Sequence, residues 1–152
     1  MSNTFSLKYR ITIGADFSSK DEDINGEIVT LQIWDTAGQE KYQSLCKAYY
    51  RGSDFCAIVF DLGNRQSFLN IDKWKEAYQE SMTSEDKEGT MPFILLCNKN
   101  DLENKKVTRN EIEKLCLEMG NIKYIEVSAK TGQNVQEAFQ EAARITLNIK
   151  QK

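Results

Sequence analysis

Trp34-Asp-Thr-Ala-Gly-Gln-Glu40 follows a run of strand-forming residues and places three residue types where phosphate chemistry needs them. Asp35 is set to hold Mg2+ through water, Gly38 has no side chain to obstruct its N–H from a γ-phosphate, and Gln39 can orient an attacking water. Thr12 offers a hydroxyl to the same Mg2+. Two further polar clusters, Asn98-Lys-Asn-Asp101 and Ser128-Ala-Lys130, likewise begin where an apolar run stops. A carboxylate at Asp101 accepts from a guanine N1–H and exocyclic amine, a donor pair that adenine does not present, so adenine would leave the acceptors unpaired. The Asn98 amide and the Ala129 N–H then address the acceptor edge of the base, with the Lys99 stem along the ring plane. Singly, each cluster is weak, because an Asp after a strand often only caps a helix. Together and in this order they point to one guanine-nucleotide site.

One part of such a site is absent from the sequence. A phosphate-cradling loop needs Gly at its first and sixth positions followed by Lys and Ser or Thr. The eight glycines are Gly14, Gly26, Gly38, Gly52, Gly63, Gly89, Gly120 and Gly132, and none stands five residues from another.

The elements that must position these clusters are readable from apolar patterning. Residues 17–24 and 28–35 flank Asn25-Gly26, which readily supplies the positive φ angles of a tight turn, so they form an antiparallel hairpin. Phe55-Cys-Ala-Ile-Val-Phe60 and Phe93-Ile-Leu-Leu-Cys97 are continuous apolar runs, expected to be parallel strands buried on both faces, followed by the shorter Tyr124–Val127. Helical stripes separate them: Phe68, Ile71, Trp74 and Tyr78, then Ile112, Leu115, Cys116 and Met119. The second stripe opens on a Thr108/Glu111 capping box and closes at Gly120. A last helix carries Val135, Ala138, Phe139, Ala142 and Ile145, with Asn134 and Glu137 as its cap. Strands alternating with helices give an α/β fold whose ligand crevice lies at the carboxyl ends of the strands, where all three polar clusters fall.

Bulk properties narrow the classes. The 152 residues suit a single domain, and a net charge of −3 argues against nucleic acid or an anionic membrane as the main partner. With no histidine, His-based catalysis and His metal sites are excluded. Cys46, Cys56, Cys97 and Cys116 form no C-x-x-C pair and read as free thiols in a reducing compartment. No signal peptide or long apolar span is present, so a cytoplasmic location is expected.

At these residues the chain resembles the Rab family of small GTPases, within the Ras superfamily, from about Phe5 to Asn148. The resemblance rests on Ile13-Gly-Ala-Asp-Phe17, Leu31-Gln-Ile-Trp-Asp35, Tyr49-Tyr-Arg-Gly-Ser53 and Ile58-Val-Phe-Asp61, in addition to the three clusters. Thr12–Phe17 and Asn98–Asn104 resemble most closely the late-endosomal and lysosomal subgroup. The resemblance implies a Ras-like fold and a GTP/GDP switch in vesicle trafficking that uses Mg2+ and hydrolyses GTP. Catalysis would fall to Gln39, and nucleotide contacts to Tyr9, Thr12, Gly38, Asn98, Lys99, Asp101, Ser128, Ala129 and Lys130, with Thr12 and Asp35 on the metal. Residues 8–16 and 36–50 would be the switches that meet an exchange factor and a GTPase-activating protein. Phe17, Trp34 and Tyr49 would form the effector-facing aromatic triad. Lys41-Tyr42 and Gly63 depart from the usual Rab pattern of Arg-Phe and Thr.

Against that pattern, the sequence is expected to lack the first strand, the phosphate loop and most of the first helix at one end, and the prenylated tail that anchors Rabs to endosomal or lysosomal membranes at the other. Losing on the order of five charge-assisted hydrogen bonds would cost ~7 to 15 kcal/mol of nucleotide binding, enough to weaken picomolar affinity to micromolar or beyond, with no measurable GTPase activity. The missing strand belongs between the strands at 28–35 and 55–61, so its loss opens two edges, uncovers a sheet face, or lets those strands pair directly. The alternative to an incomplete switch is a non-hydrolysing binding module that keeps only the effector surface.

Overall fold

A computed structural model describes residues 11–38, 49–81 and 92–150. The hairpin forms as the Asn-Gly signal predicts. Strand β1 (Ala15–Ile24) pairs antiparallel with β2 (Glu27–Thr36), extending the expected strands at both ends of the ladder. Asn25 and Gly26 both take positive φ, 57° and 88°, matching the right-handed twist of the strands they join. Asp23 accepts the Gly26 N–H at 2.7 Å and closes the turn.

Strands β3 (Cys56–Asp61), β4 (Phe93–Asn98) and β5 (Lys123–Glu126) form a parallel sheet in the order β3-β4-β5. Parallel neighbours require crossover connections, and these are helical. Between β3 and β4 lie α1 (Arg65–Leu69) and α2 (Ile71–Glu80); α3 (Arg109–Glu118) joins β4 to β5, and α4 (Val135–Lys150) follows β5. The stripe read as one helix from Phe68 to Tyr78 is thus two, joined at Asn70. Asn64 caps α1 through the N–H groups of Gln66 and Ser67. The Thr108/Glu111 capping box is formed in full, and its hydrogen bonds from Thr108, with the Arg65 guanidinium, lower the Glu111 carboxyl to about 2. Asn134 departs from the expected cap. It takes φ 56° and donates its side-chain amide to the Glu126 carbonyl at 2.8 Å, tying the start of α4 to the end of β5.

Ile58, Phe60, Leu95 and Cys97 of the sheet pack against Ile71 and Tyr78 of α2 and Ile112 and Cys116 of α3. Burial pushes the Cys116 thiol up to about 11, with Glu113 adding to the effect, so it stays protonated at neutral pH as expected of a core thiol. Strand β4 is buried on both faces, as its apolar run predicts. Strand β3 is not: Ile58 and Phe60 are 4% and 2% exposed, whereas Val59 is 55% exposed and Ala57 is open to solvent. Among the described residues nothing covers the face that carries Ala57 and Val59. β3 is also an edge strand, paired with β4 alone, while β2 is paired with β1 alone, so the described strands form two separate sheets. Direct pairing of β2 with β3 does not occur. A cleft of ≈ 330 Å³ opens along the backbone edge Val29–Gln32 of β2, walled by Tyr49, Phe55 and the α4 residues Ala143 and Leu147.

The hairpin is held instead by α4. Glu22, 2% exposed, pairs with Lys20 and accepts from the Gln136 amide at 2.5 Å, while Lys20 donates to Gln136 at 2.7 Å. A buried carboxylate is tolerated here because its acceptors are engaged.

One-sided burial of β3 makes neighbouring residues unequal. Ile58→Ala should cost ~2 to 5 kcal/mol in urea unfolding, whereas Val59→Ala should stay within ~0.5 kcal/mol. Equal losses would mean that both faces of β3 are covered in solution.

Candidate functional site

The register Asp61↔Asn98 and Cys97↔Glu126 brings the carboxyl ends of all three parallel strands level. Backbone bonds fix the segments that leave them: Leu62 N–H to Asn98 O at 3.0 Å, Asn100 N–H to Val127 O at 2.9 Å, and Val127 N–H to Cys97 O at 2.9 Å. Asn98, Lys99, Asp101, Ser128, Ala129 and Lys130 therefore meet in one place, although they come from two loops.

Within this cluster, Asn98 Oδ1 accepts two backbone N–H groups, from Lys99 at 2.8 Å and from Ala129 at 3.1 Å. Two donors converging on one atom fix the amide orientation. The Ala129 N–H, expected to face a base, is thus engaged inside the protein, and a base carbonyl would have to share it. The fully buried Ser128 hydroxyl donates to Asp101 Oδ1 at 2.7 Å and accepts the Thr131 N–H at 3.1 Å. Lys130 Nζ stands 3.6 Å from Asp101 Oδ2. The Ser128 hydrogen bond, foremost, and then a backbone hydrogen bond and Lys130 hold the Asp101 carboxyl below its ordinary value against a smaller opposing effect of burial. Asp101 is therefore an anion with acceptor capacity left over, since a carboxylate has about four lone-pair sites. That is the chemistry a pair of base N–H donors requires.

Lys99 Nζ lies 2.6 Å from Asp61 Oδ2, a partner that was not singled out from the sequence. The signal was present, because Asp61 ends an apolar strand just as Asp35 and Asn98 do.

At the end of β2, Asp35 pairs in register with Asp16. Its side chain keeps solvent access, yet enclosure on the protein side raises its carboxyl, and the nearby Asp16 charge raises it further. Two like charges with no described cationic partner suit a cation ligand, although among the described residues no group of three candidate metal ligands assembles. Thr12 is half-buried, and no described hydrogen bond joins it to Asp35. Ala37 extends the hairpin by donating to Gly14 O at 2.9 Å, and Gly38 follows it with open space around its α-carbon. Tyr9 and Gln39 lie outside the described residues, as do residues 39–48 of the second switch.

The aromatic triad is contiguous. Phe17 and Trp34 are cross-strand partners with ring centroids 4.8 Å apart, and Trp34 stacks on Tyr49 at 5.1 Å. All three are exposed, by 54%, 45% and 37%. Such a packed apolar surface is costly to leave in water and characteristic of a contact site.

The comparisons with known proteins agree with this architecture. The Ras family model matches residues 1–148. The Ypt/Rab-type GTPase ypt7 of Schizosaccharomyces pombe is 46% identical over 145 residues, covering 94% of this chain and 70% of that protein. The Ras-related protein Rab7 of Drosophila melanogaster is 43% identical over 145 residues, covering 95% and 70%. The Ras-related protein RABG3f of Arabidopsis thaliana is 44% identical over 146 residues, covering 94% and 70%. With a Ras-like α/β core, strand-end clusters in the expected order and such similarity along nearly its whole length, the chain belongs to the Ras family, among its Rab7-like members.

Proposed function

We propose that the chain acts as a Rab-type guanine-nucleotide switch in endosomal and lysosomal vesicle traffic. The observation that carries this reading is the Asp101 carboxylate, kept ionised and aimed by a buried Ser128 hydroxyl and by Lys130 at the carboxyl ends of β4 and β5. Asp101 accepts the paired donors of guanine, the Asn98 amide nitrogen serves its acceptor edge, and the Lys99 stem flanks the ring. Asp35 and Thr12 would hold Mg2+, which supplies charge neutralisation between phosphates when bound. The Gly38 N–H and Gln39 would face the terminal phosphate, Gln39 orienting water, and Tyr9 would lie on the nucleotide. Effectors would meet the Phe17–Trp34–Tyr49 surface, and regulators the flanking switch segments. The endosomal direction rests on the likeness of Thr12–Phe17 and Asn98–Asn104 to the late-endosomal and lysosomal subgroup, and no helix among the described residues is long and apolar enough to cross a membrane.

The 152 residues contain no phosphate-loop sequence, so GDP affinity should be micromolar or weaker. Asp101→Asn should weaken GDP binding and shift preference toward xanthosine diphosphate, because a carboxamide donates where a carboxylate only accepts. Competition titrations of the two nucleotides in Mg2+ check this, and an unchanged preference would remove Asp101 from base recognition.

Ser128→Ala should raise the Asp101 titration midpoint toward the ordinary carboxylate range, read by NMR of the side-chain carboxyl. Loss of the Ser128 hydrogen bond removes the largest stabilisation of the ionised form. A carboxyl lowered in the folded state stabilises fully above its unfolded value, and that contribution is lost as pH falls through the lowered one.

A further inference from the structure

We infer that Asp61 is a positioning residue for guanine binding, acting by fixing the conformation of Lys99; this rests on the proposed base site. Lys99 carries φ 64°, a left-handed backbone that side-chain-bearing residues adopt at a cost, so something must hold it there. Its N–H is held by Asn98 Oδ1, and its carbonyl accepts the Leu102 N–H at 3.0 Å. Its side chain is anchored by Asp61, whose Oδ2 stands 2.6 Å from the ammonium.

Asp61 is itself held. Its other oxygen accepts the Gly63 N–H at 2.7 Å, and its own N–H donates to the Ser67 hydroxyl at 3.0 Å. The same turn contains Gly63, which stands where Rabs commonly carry Thr. A Cβ there would lie 2.6 Å from a Leu102 methyl and 3.2 Å from Asp61 Oδ1. Glycine leaves that volume to Leu102, the residue directly after Asp101. The end of β3 thus holds the Lys99 head, although no part of it is in the base-binding motifs. With its head tied across the ends of β3 and β4, the Lys99 stem is a fixed wall for the flat face of a base, and its ordering cost is met before binding.

The test uses the 152-residue chain, 15N-labelled and titrated with guanosine and with GDP in Mg2+, with adenosine as control. Asp61→Asn should weaken guanosine and GDP binding by about two- to fivefold, the scale of a half-exposed ion pair. The loss should disappear in a Lys99→Met background, and Asp61→Glu should restore part of it. Without nucleotide, Asp61→Asn should speed hydrogen exchange at the Lys99 amide. Loss of the same size with and without Lys99 would show that Asp61 acts only through the Gly63 turn, and no loss at all would equally overturn the inference. Absence of guanine-selective shifts in the unsubstituted chain would defeat the base-site reading and the affinity role with it. If Lys99 exchange also failed to respond, the positioning of Lys99 by Asp61 would fall separately.

Discussion

Level parallel pairing of β3, β4 and β5 is the constraint from which the site follows. Strand β4 lies between its neighbours with both faces in the core, so its end cannot shift without breaking two ladders. Asp61, Asn98 and the segment leading to Ser128 emerge side by side because those ladders are in register. Residues distant in sequence are thereby delivered to within hydrogen-bonding distance. The loops have only to turn, and they do so with unusual backbone at Lys99 and Gly132, where φ is 64° and 82°.

Polar satisfaction then does the finer work. Ser128 is completely buried yet has a donor and an acceptor role, and Asn98 collects two backbone donors. These bonds shape the cluster before any ligand arrives. They also set a limit: a group such as the Ala129 N–H, already engaged, contributes less to binding than a free one.

The base cluster was legible because each member follows an apolar run, and a run of that kind fixes both the strand and the place where it stops. The hairpin was legible from Asn25-Gly26 alone. Features that depend on what covers an element were not. The apolar run of β3 suits burial on both faces, and only the tertiary arrangement shows Ala57 and Val59 uncovered. Likewise the break at Asn70 keeps the helical stripe intact, so periodicity could not reveal it. The side chain of Asn134 suits a cap, but its positive φ turns it toward β5. Asp61 is legible as the polar end of an apolar run, but its pairing with Lys99 joins the end of one strand to the loop after the next, 38 positions on, and no local pattern encodes the pair.

Attachment of the hairpin through Glu22, Lys20 and Gln136 divides the molecule into cooperative units of unequal kind. β3, β4 and β5 share ladders and one core, so their central amides open only when that core does. The amides of β1 and β2 are protected by a single ladder, which is tied to the rest of the chain by the Glu22–Lys20–Gln136 anchorage on α4 and by the Trp34–Tyr49 stack. Because Asp35, Trp34 and Phe17 ride on the hairpin while Tyr49 does not, opening of the hairpin would part the proposed metal ligand from the base site and split the aromatic surface in the same step.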